Sequence, residues 1–182
     1  MRLRIPLGVT ASAIAAVLLP VGLGGHAASP ESPVRTELQG RQLLFPLPDE
    51  FRPNLTNSFA ERRGGRPHEA VDIIAPRLTQ VRAVDDGRIA KLFFSAAGGH
   101  TIYQFDPSER YAYYYAHLER YADQLAEGQR IRRGQLLGFV GISGNAARDA
   151  PHLHFAIFRL GPEKQWWVGE PVDPYPLLGP RS

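Results

Sequence analysis

The sequence contains no cysteine among its 182 residues. A disulfide framework is therefore excluded, and so is any mechanism that needs a thiol nucleophile. Any catalysis must use histidine, carboxylate, tyrosine or serine side chains. Apolar residues make up 43% of the sequence, which is enough for one domain to be stabilised by its own hydrophobic core, with or without a bound metal.

A strong excess of one charge is also lacking once the first residues are set aside. Residues 1–28 contain two arginines and no acidic residue, which leaves 19 basic and 18 acidic residues in the remainder. The basic residues are scattered apart from two short groups, Arg62-Arg63 with Arg66 and those at 130–133, which are typical of solvated surfaces. The sequence therefore predicts no nucleic-acid partner.

Charge is absent from an apolar run at Pro6–Leu23, which follows the basic residues Arg2 and Arg4. Small residues at 25–29 end this run. A basic start, an apolar middle and a small-residue end are typical of a secretory signal peptide, which we predict over residues 1–28. The alternative is an uncleaved N-terminal membrane anchor, in which case the membrane would be a partner. We expect export to the periplasm or cell envelope, with secretion as a further option.

Glycine, proline and polar residues divide the rest of the chain into short segments. Residues 29–44 carry proline, serine and glutamate and are predicted to be a linker. Residues 45–182 are predicted to form one compact, mostly β domain, an antiparallel sheet with little helix, because β-branched and aromatic runs alternate with glycine turns. We predict a strand at Arg110–His117, a short helix at Glu119–Ala126 and an extended surface segment at Pro171–Pro180.

The most informative motif is His152-Leu153-His154. Side chains alternate faces along a strand, so both histidines would lie on one face, and Leu153, Phe155 and Ile157 on the other. Such a strand can be buried on one side and hold a metal on the other, because buried imidazoles need polar partners and a metal ion is one such partner. Two structural histidines satisfied by ordinary hydrogen bonds are the alternative.

Two further motifs supply a carboxylate and two more histidines. His68 and Asp72 are separated by three residues, a spacing that by itself is more typical of a surface pair. His117 follows tyrosines at alternate positions from 111 to 115, which predicts a shared face that either packs in the core or lines a groove. Neutral imidazole and carboxylate are ligands that zinc accepts in catalytic sites. Only His100 among the histidines after residue 28 falls outside these motifs.

Four motifs follow one another in a fixed order: H-x-x-x-D at 68–72, Y-A-H-L at 115–118, G-x-x-G-N at 141–145 and P-H-L-H-F at 151–155. This order resembles that of the lysostaphin-type, LytM-like zinc metallopeptidases, which hydrolyse peptides of the bacterial cell wall. The resemblance extends over about 59–174. It implies one Zn²⁺ per chain, a mostly antiparallel β fold with an open groove across one sheet, and peptidoglycan peptides as partners.

The resemblance also implies a role for each site residue. His68, Asp72 and His154 match the zinc ligands, while His117 and His152 match the two histidines beside the metal that do not bind it. Three protein ligands leave one coordination position open, where a water with its pKa lowered to about 7 would attack a scissile amide. The two other histidines would act as general base, as proton donor to the leaving amine or as hydrogen-bond donor to the oxyanion. Which histidine performs which step stays open.

The sequence departs from the family pattern at Ala70, where glycine is usual. Glycine would permit a left-handed backbone there, whereas alanine predicts an ordinary conformation and a different neighbouring loop. The turn at 98–100 and the loop at 143–149 are expected to form walls of the groove, where substrate choice would be set.

More than one function is compatible with these observations. The leading prediction is an exported zinc metalloendopeptidase, because the complete set of ligand and base residues is present. The alternative is a non-catalytic domain of the same fold that binds cell wall or activates other wall hydrolases. A small β carrier or carbohydrate-binding module would leave the histidines without a role. The type of cross-link that is cut and the existence of regulatory protein partners are left open.

Overall fold

The computed structural model of the protein describes residues 33–179, and the signal peptide or anchor predicted at 1–28 lies outside them. Within the described residues, helical segments occur at Pro33–Gly40 (α1), at Asp49–Asn54 as a 3₁₀ helix and at Tyr175–Leu178 (α2). None of these helices is long and apolar enough to cross a membrane.

Strands form most of the regular structure between residues 33 and 179. They are β1 (Arg62–Arg63), β2 (Arg66–Pro67), β3 (Val71–Ile74), β4 (Gln80–Arg82), β5 (Gly87–Ser95), β6 (Gly99–Phe105), β7 (Tyr111–Tyr121), β8 (Arg130–Ile131), β9 (Leu136–Val140), β10 (His152–Leu160) and β11 (Gly169–Val172). β1 and β2 form a small hairpin, and the other strands form one sheet.

The large sheet is antiparallel in every pairing. Its main path runs β11–β10–β7–β6–β5–β8, while β3 pairs with β10, and β9 pairs with both β7 and β4. β10 pairs with β7 along 154–159 and with β3 along 152–155. The predicted mostly antiparallel β fold is confirmed, and β10, the strand that carries two histidines, is paired along both of its edges.

One face of the sheet packs into a core of aliphatic and aromatic side chains. Tyr113, Tyr115, Phe155 and Ile157 are fully buried on this face, at alternate positions of two paired strands. Burial of one large apolar side chain contributes about 1.5–3 kcal/mol. The Tyr115 hydroxyl donates a hydrogen bond to the Gln104 side-chain oxygen at 2.8 Å, so this polar atom is satisfied inside the core.

The helix predicted at Glu119–Ala126 is wrong, because β7 continues through Tyr121. Leu118 is buried, and β9 pairs with β7 from Leu118 to Tyr121. Arg120 is exposed. The polar residues that favoured a helix therefore lie on the exposed side of a strand. The buried side and the backbone of this strand contact parts of the chain that are distant in sequence.

Two segments predicted to lie outside the core are packed into it. Residues 33–44, predicted as part of a linker, contain α1 and bury Leu38 and Leu43 in the core. Within the predicted extended segment at 171–180, the chain completes β11 and then forms α2, whose Leu178 is buried. A few apolar residues without clear periodicity can fix such a segment, because tertiary packing stabilises short helices more than intrinsic propensity does.

A buried carboxylate, Asp106, joins the turn after β6 to the segment that follows α1. Its side chain is 0% exposed and accepts hydrogen bonds from the backbone N–H groups of Ser108, Arg110 and Tyr111 at 2.7–2.9 Å. The Arg41 guanidinium lies 2.9 Å from the same carboxylate. Burial alone would raise the pKa of Asp106, but the hydrogen bonds from Ser108 and Tyr111 hold it below its usual value.

Asp106→Asn is expected to destabilise the protein by about 3 kcal/mol at neutral pH, because a neutral amide replaces the buried anion that accepts three backbone N–H bonds and pairs with Arg41, although Arg41 keeps its contacts with Asp85 and Glu37. The depressed pKa means that the carboxylate's contribution is complete above its unfolded value of about 3.9 and is lost as pH falls through the lower folded value. The stability gap between the parent protein and the variant should therefore narrow in acid. Urea unfolding at neutral pH and at about pH 3 measures it; a gap that stays constant would contradict this account.

Candidate metal centre and active site

Two histidines of β10 lie on the face of the sheet opposite to the core. Leu153 and Phe155 are fully buried, whereas His152 and His154, between and beside them, are partly exposed. This arrangement follows from the two-residue repeat of a strand, and the predicted alternation is confirmed. Both imidazoles therefore project from a strand that is held on both edges by neighbouring strands.

Asp72 comes to the same place through strand pairing. The register of β3 against β10 sets Asp72 directly opposite His154. Directly opposed residues have Cβ atoms about 4.5–5.5 Å apart and project from the same face. The carboxylate and the imidazole therefore lie side by side, although they are far apart in sequence.

His68 is delivered by the loop that precedes β3. Its backbone N–H donates to the Glu61 carbonyl at 2.7 Å, and its ring Nδ1 donates to the Ser58 carbonyl at 3.1 Å. The second bond fixes the tautomer, so that Nε2 carries the lone pair. The following residue, Glu69, has a left-handed φ of +56°, while Ala70 is buried without one, as predicted.

One ligand atom from each of these three residues converges on a common point. His154 Nδ1 lies 3.1 Å from His68 Nε2 and 3.1 Å from Asp72 Oδ1, and His68 Nε2 lies 3.4 Å from that oxygen. Within residues 33–179 these three side chains form the group that could hold a metal ion. Ligands of a tetrahedral zinc with bonds of about 2.0–2.1 Å are about 3.3 Å apart, so the triangle and its donor atoms fit zinc.

The charges of the cluster also suit a cation. Burial alone would raise the pKa of Asp72, but hydrogen bonds with His154 and Arg63 hold it well below its usual range. Burial lowers the pKa of His68. At neutral pH the carboxylate is therefore ionised and His68 is neutral, which are the protonation states that metal binding requires.

His117 lies on the opposite face of β7 from the one predicted. Tyr113 and Tyr115 are in the core, and simple alternation would place His117 there too. Instead, the pairing of β7 with β6 shifts register between Tyr115 and Leu118, and His117 has a left-handed φ of +60°. This β-bulge keeps Leu118 in the core and turns His117 toward the three candidate ligands.

Two interlocked turns hold His117 in this conformation. Its backbone N–H donates to the Gly98 carbonyl at 2.8 Å, and its Nδ1 donates to the Ser143 carbonyl at 2.9 Å. Gly99 and Gly144 have left-handed φ angles of +67° and +73°, and a Cβ on Gly99 would lie 2.0 Å from Ser143 Oγ. The two turns can meet only because both positions are glycine. The segments predicted as groove walls therefore support His117.

His152 and His117 flank the ligand cluster as a pair, with ring centroids 4.9 Å apart. His152 Nδ1 donates to the Ala150 carbonyl at 2.8 Å, and its Nε2 lies 3.8 Å from Asp72 Oδ1. Burial lowers the pKa of His117 to about 4, so this imidazole is neutral at physiological pH. Because each Nδ1 proton is engaged by a carbonyl, the neutral form of either ring has its lone pair on Nε2.

Two side chains beside the cluster were not predicted as part of it. The Tyr114 ring lies 5.9 Å from the ring of His154. The alternation of side chains along the strand had placed Tyr114 on the face opposite the other tyrosines, and this was the sequence signal that could have predicted its position. Arg63 was predicted to be a solvated surface residue. Its Nη1 donates to Asp72 Oδ2 at 2.6 Å and its Nη2 to Glu61 at 3.1 Å, contacts that depend on the β1–β2 hairpin.

Arg63→Ala is expected to weaken zinc binding by about tenfold to a hundredfold, because the second oxygen of Asp72 loses the donor that orients the carboxylate. Arg63→Lys should lose less, since it keeps the charge without the planar fork. Competition with a chromophoric chelator measures the affinity. Arg66→Ala on the same hairpin is the matched control, and equal affinities for Arg63→Ala and Arg66→Ala would reduce Arg63 to an ordinary surface residue.

The chain is similar to known proteins over the region that builds this site. Residues 66–174 match the sequence pattern of peptidase family M23. An L-Ala–D-Glu endopeptidase of Bacillus subtilis is 31% identical over 142 residues, which cover 74% of this chain and 42% of that protein. The glycyl-glycine endopeptidase ALE-1 of Staphylococcus capitis is 33% identical over 92 residues, or 50% of this chain and 24% of that protein.

A solved structure has the same fold. The catalytic domain of lysostaphin from Staphylococcus simulans superposes with a TM-score of 0.59 at 25% identity, covering 72% of this chain and 98% of that domain. By contrast, the chain spans less than half the length of the two relatives matched by sequence. The similarity therefore concerns the domain that carries the histidine cluster.

Proposed function

This chain belongs to peptidase family M23, and from that premise we propose that it is an exported zinc metalloendopeptidase that hydrolyses peptide bonds of peptidoglycan. The observation that carries the proposal is the convergence of His68, Asp72 and His154 at 3.1–3.4 Å, with two further histidines beside them. Export rests on the charge pattern of residues 1–28. One Zn²⁺ per chain is expected.

The protein residues divide the work between binding and proton transfer. A zinc ion held by the three ligands would supply a Lewis acid and would acidify a water. His117 and His152 lie beside the ligand triangle, each with Nδ1 donating to a backbone carbonyl and therefore with Nε2 as an acceptor. One of them accepts the proton of the attacking water, and the same or the other one delivers a proton to the leaving amine.

The pKa of His117 supports a part for it in this cycle. Because burial keeps it neutral down to about pH 4, it is available as a base at neutral pH without prior deprotonation. After accepting a proton it would be a buried cation beside other imidazoles, which favours fast transfer onward to the leaving group. The fixed Nδ1 bonds restrict both rings to one orientation, so that little reorganisation is needed during the reaction.

Peptidoglycan peptides are the proposed substrate class. The two relatives named above are described as cutting different bonds, L-Ala–D-Glu in one and glycyl-glycine in the other. Their identities to this chain are nearly equal, so similarity supports the class of substrate and leaves the bond to experiment.

Zinc content and wall hydrolysis, measured on the same preparation, test the proposal. We expect one zinc per chain and release of soluble fragments from purified peptidoglycan, abolished by a chelator and restored by added zinc. Mass spectrometry of the fragments would identify the bond. Bound zinc without release from any wall type would favour the non-catalytic alternative, in which the domain binds wall or activates other hydrolases. If the protein contains no zinc and releases no fragments, the ligand assignment is contradicted.

A further inference from the structure

A continuous series of aromatic rings leads away from the metal cluster across the sheet. It consists of Tyr114, Tyr103, Trp166, Phe93 and Trp167, here called the aromatic track. Strand register sets these sheet residues on one face: Tyr114 pairs with Tyr103 between β7 and β6, and Phe93 lies two residues along β5 from the partner of Tyr103. This is the face that carries His154 and not the core face.

The rings of the track are in contact from end to end. Their centroids are separated by 4.6 Å between Tyr114 and Tyr103, 4.8 Å between Tyr103 and Trp166, and 5.4 Å between Trp166 and Phe93. Trp167 lies 5.1 Å from Trp166. Tyr114 connects the series to the ring of His154 at 5.9 Å. The track therefore begins next to the candidate active site, and its other rings lie farther from the metal cluster.

The far end of the track is open to solvent. Phe93 is 41% exposed and Trp167 is 60% exposed, next to Val168 at 54%. Soluble proteins seldom leave large aromatic side chains together at the surface unless the surface binds something. Rings fixed by one another also lose little conformational entropy when a ligand binds.

Resting on the proposed function, we propose that the aromatic track binds sugar rings of the glycan strand to which the substrate peptide is attached. The C–H faces of a pyranose ring lie flat on aromatic rings, which offers recognition without charge. The bonds named for the two relatives join alanine, glutamate and glycine, whose side chains are small or charged and would leave such rings poorly covered. An aromatic surface joined to a peptide-cleaving site is therefore best matched by the sugar component of the same polymer.

The distance between the metal cluster and the far end of the track agrees with a peptide bound at the cluster and a sugar bound on the track. Three strand spacings separate β10 from β5, which amounts to about 14 Å. An extended peptide of about four residues covers this distance. A bond held at the metal cluster would therefore lie a few residues from a sugar on the track, which is the length scale of a stem peptide.

Intrinsic fluorescence gives a direct test, because the chain has two tryptophans and both belong to the track. We expect a saturable fluorescence change when an oligomer of β-1,4-linked N-acetylglucosamine is added to the full-length zinc-loaded protein, and none with a sugar-free stem peptide. Trp167→Ala should weaken sugar binding about tenfold, measured by calorimetry. Val168→Ala, which truncates a similarly exposed but non-aromatic neighbour, should bind like the parent protein.

Hydrolysis separates this inference from the proposed function. Trp167→Ala should raise KM for glycan-linked peptide about tenfold while leaving the cleavage of sugar-free peptide unchanged. Equal loss of activity on both substrates, or a fluorescence response to the peptide alone, would make the track a peptide subsite and overturn the proposal. The absence of a fluorescence response to the sugar would also overturn it. If the protein binds the sugar but cuts no peptide, the inference about the aromatic track stands and the proposed peptidase function is rejected.

Discussion

His154→Ala is expected to abolish zinc binding and peptide hydrolysis together. His154 Nδ1 is the atom that lies 3.1 Å from both of the other ligand atoms, so its loss leaves two donors that cannot complete a catalytic site. The effect on zinc affinity should exceed the roughly hundredfold upper loss typical of residues that only support a ligand. Zinc per chain and fragment release from peptidoglycan measure the two consequences.

The matched control for this variant is His152→Ala, two residues away on the same strand and the same face. It should still bind one zinc, because His152 Nε2 lies 3.8 Å from the shared Asp72 oxygen, outside the ligand triangle. Full zinc occupancy in His154→Ala would contradict the ligand assignment. Loss of zinc in both variants would indicate that the two imidazoles act as one unit and that the proposed division between them is wrong.

His117→Ala is expected to keep one zinc per chain and to lower turnover by about two to four orders of magnitude, the range for a general acid or base. His117 is held by Gly98 and Ser143 rather than by the three ligands, so its removal leaves the triangle intact. Zinc content and kcat on purified peptidoglycan fragments measure this separation of binding from chemistry.

Two further variants make the His117 result interpretable. His117→Gln fills the buried space and should show the same loss of turnover, which excludes a cavity effect. His100→Ala removes a histidine that contacts Phe94 and Tyr121 outside the cluster, and its turnover should match the parent protein. Parent-like turnover in His117→Ala would remove His117 from the mechanism and leave His152 to act alone.

The sequence by itself determined the features that depend on local repeats. Alternation at 152–157 placed two histidines on one face and three apolar residues on the other, because a strand turns its side chains over at every residue. Short β-rich runs between glycines determined the antiparallel class. The absence of cysteine excluded thiol chemistry, and His68, Asp72 and His154 became candidate zinc ligands through an order of motifs that resembles the metallopeptidase family.

Only the tertiary structure decided where these residues meet. The bulge that turns His117 out of the core depends on β6 and on the interlocked turns at Gly99 and Gly144, which lie elsewhere in the sequence. The contact of Arg63 with Asp72 depends on a hairpin folding back over the site. Local periodicity contains no information about such partners, because register, bulges and burial are set by whichever distant strand pairs with the segment.

The same reason explains the errors. Residues 33–44 and Glu119–Ala126 have polar compositions that locally favour a linker and a helix, but Leu38 and Leu118 are covered by partners from other parts of the chain. The aromatic track likewise exists only where β5, β6 and β7 lie side by side beneath Trp166. Residue types and their spacing thus indicated the candidate chemistry, and strand pairing across long sequence separations decided the geometry of the candidate site.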